Sequence, residues 1–296
     1  MTHTPVLLQE SIRGLDIHEG DVFVDATLGN GGHSLAIAES FGKRVLIVGI
    51  DRDSDAIKRS KERFSKIEAN IIFVENSFCN IAQILEEKGL RANKVLFDLG
   101  MSSNQLEESG RGFSFRRDEP LLMTFEKPSE KEILTAYEIV NYWKEDEIIK
   151  ILYEYGEESR AKKIAKAIVE RRKWKKIETS GELKELVEGV VAYKGGKKIN
   201  PATKTFQAIR IAVNDELRVL NEGLEGAFGR LVNKGRIVVI SFHSLEDRIV
   251  KNFYKEKAKN EMATIITKKP IIASREETEE NPRARSAKMR ILEKTK

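Results

Sequence analysis

The feature that most constrains the fold is an alternation of short apolar runs with longer amphipathic ones between Asp21 and Asp98. The apolar runs, rich in Val, Ile and Phe, predict buried strands at Val22–Asp25, Val45–Ile50, Ile71–Val74 and Val95–Asp98. Between them, helical periods lie at Ser34–Phe41, Asp53–Lys66 and Ile81–Lys88. Strands that alternate with helices in this way form βαβ units, in which helices cover both faces of a parallel sheet.

The pattern changes after Met101. Residues 107–200 contain helical periods, including Ile133–Val140, Glu145–Tyr155 and Arg160–Arg172, and no convincing strand. A long helical period at Phe206–Leu231 then leads to strand candidates at Arg236–Ser241, Thr264–Thr267 and Ala287–Leu292. We therefore predict an α/β domain formed by residues 1–105 and 201–296, interrupted by an inserted helical domain of residues 106–200.

The composition argues against disulfide-bonded, metal-binding and membrane-spanning classes of protein. The single cysteine, Cys79, allows neither an intramolecular disulfide nor a cysteine metal cluster, and the four histidines have no metal-ligand spacing. No apolar run approaches the roughly 20 residues that span a bilayer, and no signal peptide precedes the first strand. We predict a cytoplasmic protein without a metal. The net charge of +5 favours an acidic partner only slightly.

The segment from Val22 to Ser34 predicts a binding site for a nucleotide-type cofactor. A strand there runs into a turn with Gly29, Gly31 and Gly32, and the turn opens onto a helix. Glycines let the backbone approach a ligand, and a helix N-terminus offers unpaired N–H groups. The second strand ends at Asp51, twenty residues beyond Gly31, where a carboxylate can accept hydrogen bonds from ribose hydroxyls.

Asp25 distinguishes two cofactors that fit this pattern. The dinucleotide fingerprint is G-x-G-x-x-G, whereas Ser34 stands here at the third glycine position. A carboxylate such as Asp25 repels a pyrophosphate and attracts the ammonium and sulfonium of S-adenosylmethionine. The charge argument therefore favours the methyl donor over a nicotinamide dinucleotide, although a loop that only turns the chain fits the same residues.

The fourth strand ends at Asp98, which we expect on the same sheet edge as Asp25 and Asp51. The next residues include Ser102 and Ser103, for which helix capping and a catalytic role fit equally well.

Several segments distributed over nearly the whole chain resemble the bacterial 16S ribosomal RNA cytosine-N4 methyltransferases that modify the decoding region of the small subunit. Beyond the loop from Asp25 to His33, the matching segments are His3–Leu8, Asp51–Asp53, Asp98–Ser103, Arg111–Phe115, Pro201–Gln207, Ser241–Arg248 and Asn281–Ser286. The glycine loop is common to many methyltransferases, whereas the later segments are much more specific.

The resemblance implies a Rossmann-like fold for an S-adenosylmethionine-dependent methyltransferase with a helical insertion, and a specific set of residues that contact the methyl donor. These residues are Gly31, Gly32, His33, Asp51, Phe78, Asp98 and Gln105. Without the family, Phe78 would be interpreted as a core residue. The chain departs from the family pattern at Leu122 and Thr124, where an acid and a base are usual, and at Lys204, where arginine is usual.

The implied substrate is the exocyclic amine of a cytidine, whose lone pair is delocalised into the ring. A hydrogen-bond acceptor on an amino hydrogen localises that lone pair, and Asp98 or the carbonyls of Leu99 and Gly100 are the candidates. Phe242 or His243 could stack on the base or simply pack in the core. Methylation at ring carbon C5 would need a cysteine nucleophile, and Cys79 lies on the predicted adenine side instead.

A capping pair, Ser244 with Asp247, is a simpler interpretation of the turn after Ser241 than a serine triad.

Basic residues that can contact RNA lie in three clusters. They are Arg160–Lys176, Lys194–Lys198 and the tail residues Arg283, Arg285, Lys288 and Arg290. We expect the inserted domain to recognise 16S ribosomal RNA within the small subunit, with the target base unpaired or flipped out.

The residues alone also admit a non-catalytic RNA-binding factor or a DNA amino methyltransferase, and they leave the oligomeric state open.

Overall fold

The computed structural model describes residues 5–101, 106, 109–126, 133–191 and 200–296. The chain forms two compact units, of which the first comprises Met1–Gly100 and Leu217–Lys296 and the second comprises Met101–Glu216. The predicted boundaries lay after residues 105 and 200. The second boundary in the structure lies later because the helix at Thr203–Asn214 packs on other helices of the second unit.

The first unit is built on a seven-stranded sheet. Its strands are β1 (Val22–Asp25), β2 (Leu46–Asp51), β3 (Asn70–Glu75), β4 (Ala92–Asp98), β5 (Leu231–Ser241), β6 (Ala263–Ile265) and β7 (Lys288–Lys294). They lie in the order β3-β2-β1-β4-β5-β7-β6. The first five are parallel, and β7 runs antiparallel to both β5 and β6. All seven predicted strands are confirmed, and so is the α/β fold class.

The helices of the first unit are α1 (Leu8–Leu15), α2 (Gly32–Phe41), α3 (Ser54–Phe64), α4 (Ile81–Glu87), α10 (Glu216–Arg230), α11 (Ser244–Lys259) and α12 (Arg275–Glu280). The first residue of α10, Glu216, belongs to the second unit. Those of the second unit are α5 (Ala136–Tyr142), α6 (Glu145–Glu154), α7 (Ala161–Trp174), α8 (Ser180–Val190) and α9 (Thr203–Asn214). No helix in the described ranges is long and apolar enough to cross a membrane.

Apolar layers cover both faces of the sheet, which explains why its strands are apolar along their whole length. In β1, Val24 packs in the layer that contains Ile84 of α4 and Leu224 of α10, whereas Phe23 packs in the layer that contains Ile37 of α2. Both strand residues are fully buried. The polar ends of the strands are therefore the part of the sheet that is available for a site.

The single long helix predicted at Phe206–Leu231 is wrong. The chain breaks there into α9 and α10 because Asp215 adopts a left-handed conformation with φ of 48°. The side chain of Asn214 stabilises the end of α9: its Oδ1 accepts the backbone N–H of Phe125, and its Nδ2 donates to the carbonyl of Met123. The apolar period continued across the break, so periodicity gave no signal of it.

The second unit has its own core, formed by residues such as Ile139, Ile148, Ile164 and Ile209 from four helices. A buried side chain, Asn141, joins α5 to the segment before α8 by exchanging two hydrogen bonds with the backbone of Ile177. Thr124, one of the departures from the family pattern, is also buried in this unit.

Candidate functional site

The carboxyl ends of β1, β2 and β4 bring three acidic residues to one edge of the sheet. β1 pairs with β2 on one side and β4 on the other, so Asp25, Asp51 and Asp98 end neighbouring strands. The chain passes from β1 outward to β3 and returns to the other side of β1 at β4. Such a reversal of strand order is the position at which open α/β sheets bind ligands.

The glycine loop between β1 and α2 is attached to β2. The backbone N–H of Leu28 donates to the carbonyl of Ile50, and that of Gly29 donates to Asp51 Oδ2 at 2.7 Å. Gly29 and Gly31 have φ values of 53° and 71°, a region that favours glycine. The loop therefore presents its backbone at the edge where Asp51 ends β2.

Gly32, the first residue of α2, lies against the N-terminal segment. A Cβ atom at this position would lie 2.4 Å from Cγ of Pro5, so no side chain fits. Val6 follows Pro5 in this segment, and its carbonyl oxygen lies 3.2 Å from His33 Nε2.

Asp25, the last residue of β1, stabilises the glycine loop through hydrogen bonds to its carboxylate. It is 2% exposed; Ser34 Oγ donates to its Oδ2 at 2.6 Å, and the backbone N–H of Thr27 donates to its Oδ1. Burial raises the pKa of Asp25 to about 6. The choice of S-adenosylmethionine over a dinucleotide relied on the charge of Asp25. Because Asp25 is buried, that charge would act on a ligand from beneath the loop and without direct contact. Sequence reasoning missed the role of Ser34, although its place at the third glycine position of the fingerprint was a signal.

Asp51 orders two backbone segments and remains partly accessible. In addition to Gly29, the N–H of Asp53 donates to its Oδ1 at 2.8 Å. Burial raises the pKa of Asp51 above its ordinary value. A carboxylate offers about four lone-pair sites, so hydrogen-bonding capacity remains for a ligand.

Of the three carboxylates, Asp98 accepts the fewest hydrogen bonds that would offset the cost of its burial. Its backbone N–H donates to Thr27 Oγ1 at 2.7 Å, which connects β4 to the glycine loop. Among the described residues its Oδ1 is enclosed without a hydrogen-bond partner, while a quarter of the side chain remains exposed. Its Oδ2 lies 3.8 Å from His33 Nδ1. Burial, followed by the charge of Asp25, raises the pKa of Asp98 to about 7.

Burial raises the pKa of all three carboxyl groups, and the charge of Asp25 raises that of Asp98 further. When ionised, the three carboxylates give this edge a negative potential. Such an edge suits a positively charged ligand and disfavours a pyrophosphate. This fits the donor chosen from the sequence.

Phe78 follows β3, at the start of a short 3-10 turn, and is half-buried. Its ring contacts Phe97 edge-on, with centroids 5.5 Å apart. A Cβ atom on Gly223 of α10 would lie 2.6 Å from Cδ2 of Phe78, so the glycine makes room for the ring. Phe78 is thus partly a core residue and partly a surface residue. Gln105, the remaining predicted donor contact, lies outside the described residues, as do Ser102 and Ser103.

The turn after β5 differs from the predicted capping pair. His243 is the N-cap of α11: its Nδ1 accepts the N–H of Glu246, whose carboxylate accepts the N–H of Phe242 and of His243. Ser244 with Asp247 is therefore wrong as the cap. Asp247 instead forms a bidentate ion pair with Arg290 of β7. A Cβ atom on Gly100 would lie 2.7 Å from Phe242, which packs against the end of β4.

The basic clusters are partly used inside the protein. Arg172 of α7 donates to the carbonyls of Val140 and Trp143, Lys175 pairs with Glu182, and Lys288 lies 3.7 Å from Asp247. The cluster at Lys194–Lys198 lies outside the described residues. Among the described residues of the first cluster, Arg160, Lys162, Lys163 and Lys166 are exposed and form no ion pair, and they lie at the start and in the first half of α7.

The sheet, the loop and the acidic edge define a Rossmann-like α/β protein with a nucleotide-type loop at the switch point of its sheet. The chain belongs to the MraW methylase family, whose sequence profile matches residues 1–295. This confirms the family and the methylase activity that the sequence predicted.

Curated relatives match over nearly their whole length. The proteins named ribosomal RNA small subunit methyltransferase H from Clostridium botulinum (strain 657) and Clostridioides difficile (strain 630) are 46% and 44% identical to this chain, and each alignment covers 99% of this chain and 98% of the relative. The protein of the same name from Dictyoglomus thermophilum is 47% identical, covering 99% of this chain and 96% of the relative.

Proposed function

We propose that this protein transfers a methyl group from S-adenosylmethionine to the exocyclic N4 amine of a cytidine in the decoding region of 16S ribosomal RNA. The relatives at 44–47% identity are named as methyltransferases of the small-subunit ribosomal RNA. The observation that carries the chemistry is Asp98, a partly exposed carboxyl group beside the glycine loop with a pKa of about 7, whose Oδ1 has no hydrogen-bond partner among the described residues.

The residues of this edge fit the donor. Gly31 and Gly32 bring backbone close to it, Asp51 accepts hydrogen bonds from its ribose, and Phe78 packs on its adenine. His33, Asp98 and Gln105 complete the proposed set of contacts. The acidic edge supplies the negative potential that a sulfonium and an ammonium require.

S-adenosylmethionine supplies, when bound, an electrophilic methyl carbon. The N4 nitrogen forms a bond to that carbon as the C–S bond breaks, and the nitrogen loses one proton. Asp98 accepts a hydrogen bond from an amino hydrogen, which localises the nitrogen lone pair, and then takes the released proton. Aligned reactants gain about 7–11 kcal/mol from positioning alone, so holding the amine is the larger part of the task.

The second unit is proposed to recognise RNA within the small subunit. The exposed cations in the first half of α7 suit phosphate contacts, since charge neutralisation supplies much of the affinity for nucleic acids.

Methyl transfer from labelled S-adenosylmethionine tests the proposal, with unmethylated small subunits, free 16S ribosomal RNA and DNA as parallel substrates. Nucleoside mass spectrometry identifies the product. We expect N4-methylcytidine from the small subunits. A different methylated nucleoside, or no product despite measured donor binding, would contradict the proposed reaction. Product from free RNA but none from subunits would contradict only the assembled substrate.

A further inference from the structure

Two aromatic side chains of the second unit lie exposed at the end of the basic helix. Trp174, the last residue of α7, is 90% exposed, and Tyr142, the last residue of α5, is 62% exposed. Large aromatic residues gain much from burial, so exposed rings beside basic residues suit a surface that binds a partner. We call Tyr142, Arg172, Trp174 and Lys176 the aromatic–basic patch.

Hydrogen bonds fix the backbone on both sides of Trp174. Arg172, two residues before it, donates to the carbonyls of Val140 and Trp143 at 2.9 and 2.7 Å. Lys176, two residues after it, lies near the carbonyl of Asn141 and 4.0 Å from the centroid of the Tyr142 ring. Trp174 therefore extends from a rigid support, and Lys176, two residues further on, lies against the exposed ring of Tyr142.

The same helix carries cations that the protein does not use. Arg160, Lys162, Lys163 and Lys166 are exposed, and none forms an ion pair among the described residues. The first turn of α7 contains no acid, so these cations oppose the helix dipole and reduce its stability. Toward the other end, by contrast, Lys173 pairs with Glu170 and Lys175 pairs with Glu182.

Lys163 and Trp174 lie on one side of α7. They are eleven residues apart, about three helical turns, so their side chains leave the helix in nearly the same direction, roughly 16 Å apart along its axis. Lys166 lies about 80° round the helix from Trp174, and Glu170, which pairs with Lys173, lies about 40° from it. Exposed cations on the same helix as an exposed ring suit a single strand, because cations follow the phosphates and rings stack on the bases. A duplex keeps its bases stacked inside and offers no free faces to such rings.

We propose that the aromatic–basic patch is a stacking platform for an unpaired segment of RNA, and that Lys163 and Lys166 hold its phosphates. The proposal rests on the proposed function for the identity of the nucleic acid and deepens it by naming its unpaired state and its contact surface.

The fluorescence of Trp174 can report binding directly. The chain has two tryptophans, and Trp143→Phe leaves Trp174 as the only one. The probes are a twelve-nucleotide oligocytidine and an RNA duplex of the same length, titrated into the full chain. We expect the single strand to quench Trp174 fluorescence and protect it from acrylamide, and the duplex to do neither. Equal quenching by both, or none by the single strand, would overturn the proposal.

Substitutions measured by anisotropy of labelled oligocytidine separate stacking from general apolar contact. Trp174→Ala is expected to weaken binding about tenfold, the order of loss seen for stacking aromatics. Trp174→Phe should retain most of the affinity, whereas Trp174→Leu should lose it. Ile272→Ala, at an exposed apolar residue of the first unit, is the matched control and should bind as the parent. Unchanged affinity of Trp174→Ala would refute the platform.

The two proposals fail in different ways. Binding and quenching without any methylated nucleoside would remove the proposed function and leave the platform. N4-methylcytidine formed by Trp174→Ala with the parental KM for subunits would leave the function and remove the platform.

Discussion

At the scale of single residues, Asp98 has an environment that suits a proton acceptor near neutral pH. Its pKa of about 7 results first from burial and second from the charge of Asp25. A carboxyl group must be ionised to accept an amino hydrogen and then a proton. Since the pKa is raised, Asp98 is mostly protonated below pH 7 and ionised above it.

We expect kcat/KM for S-adenosylmethionine to rise with pH through about 7 and then level off, because this ratio reports groups of the enzyme before the donor binds. Asp98→Asn should lower kcat about 100-fold, within the range for a lost acid–base group, and abolish that rise. Initial rates between pH 5.5 and 9 on small subunits provide the measurement.

Asp16→Asn is the control for this series, since Asp16 is a partly exposed acid outside the three strand ends. It should keep both the rate and the pH profile. Full turnover by Asp98→Asn would show that the carbonyls of Leu99 and Gly100, rather than the side chain, hold the amine.

At the scale of elements, helix α10 positions the ring proposed to pack on adenine. Gly223 contacts Phe78 closely, whereas a Cβ on Gly229 of the same helix would meet nothing within 4 Å. Alanine raises helix propensity at both positions, but only at Gly223 does its Cβ meet the ring of Phe78. Comparing the two substitutions therefore separates the effect of that contact from the effect of helix propensity.

Gly223→Ala is expected to displace Phe78 and weaken S-adenosylmethionine binding about tenfold, which corresponds to roughly 1.4 kcal/mol. This is within the cost of about 1–3 kcal/mol for overpacking a filled site. Gly229→Ala should bind the donor normally and gain about 0.5–1 kcal/mol of helix stability. Calorimetric Kd values and melting temperatures distinguish the two, and equal donor affinity would argue against Phe78 as a donor contact.

At the scale of the whole molecule, the distribution of charge matters more than its sum of +5. Many cations of the sequence clusters form internal bonds, as Arg172 and Arg290 do. The exposed cations at the start of α7 form no ion pair among the described residues, and they are the ones proposed to release counterions from RNA.

Binding of single-stranded RNA should therefore depend on salt through these residues. Each lost phosphate contact lowers the slope of log K against log salt by about 0.7 for single strands. We expect Lys163→Ala with Lys166→Ala to reduce the slope by about 1.4, on the same principle. Lys43→Ala, which removes a cation paired with Glu68 in the first unit, should leave the slope unchanged. Equal slopes for all three proteins would place the phosphates elsewhere.

The sheet and the loop could be predicted from the sequence alone, because both depend on local rules. Strands buried on two faces must be apolar along their length, so β1 and β4 were found close to their observed bounds. A turn with positive φ favours glycine, so Gly29 and Gly31 marked the loop. The order of elements then placed Asp25, Asp51 and Asp98 on one edge.

How these residues are used could not be predicted, because their roles depend on contacts between parts of the chain that are distant in sequence. Thr27 accepts the N–H of Asp98 from 71 residues away, and burial in that setting sets the pKa of Asp98. Asp247 pairs with Arg290 and leaves the cap to His243. The exposure of Trp174 likewise follows from where α7 ends against α5, since an apolar side chain in a helix gives no local signal that it faces water.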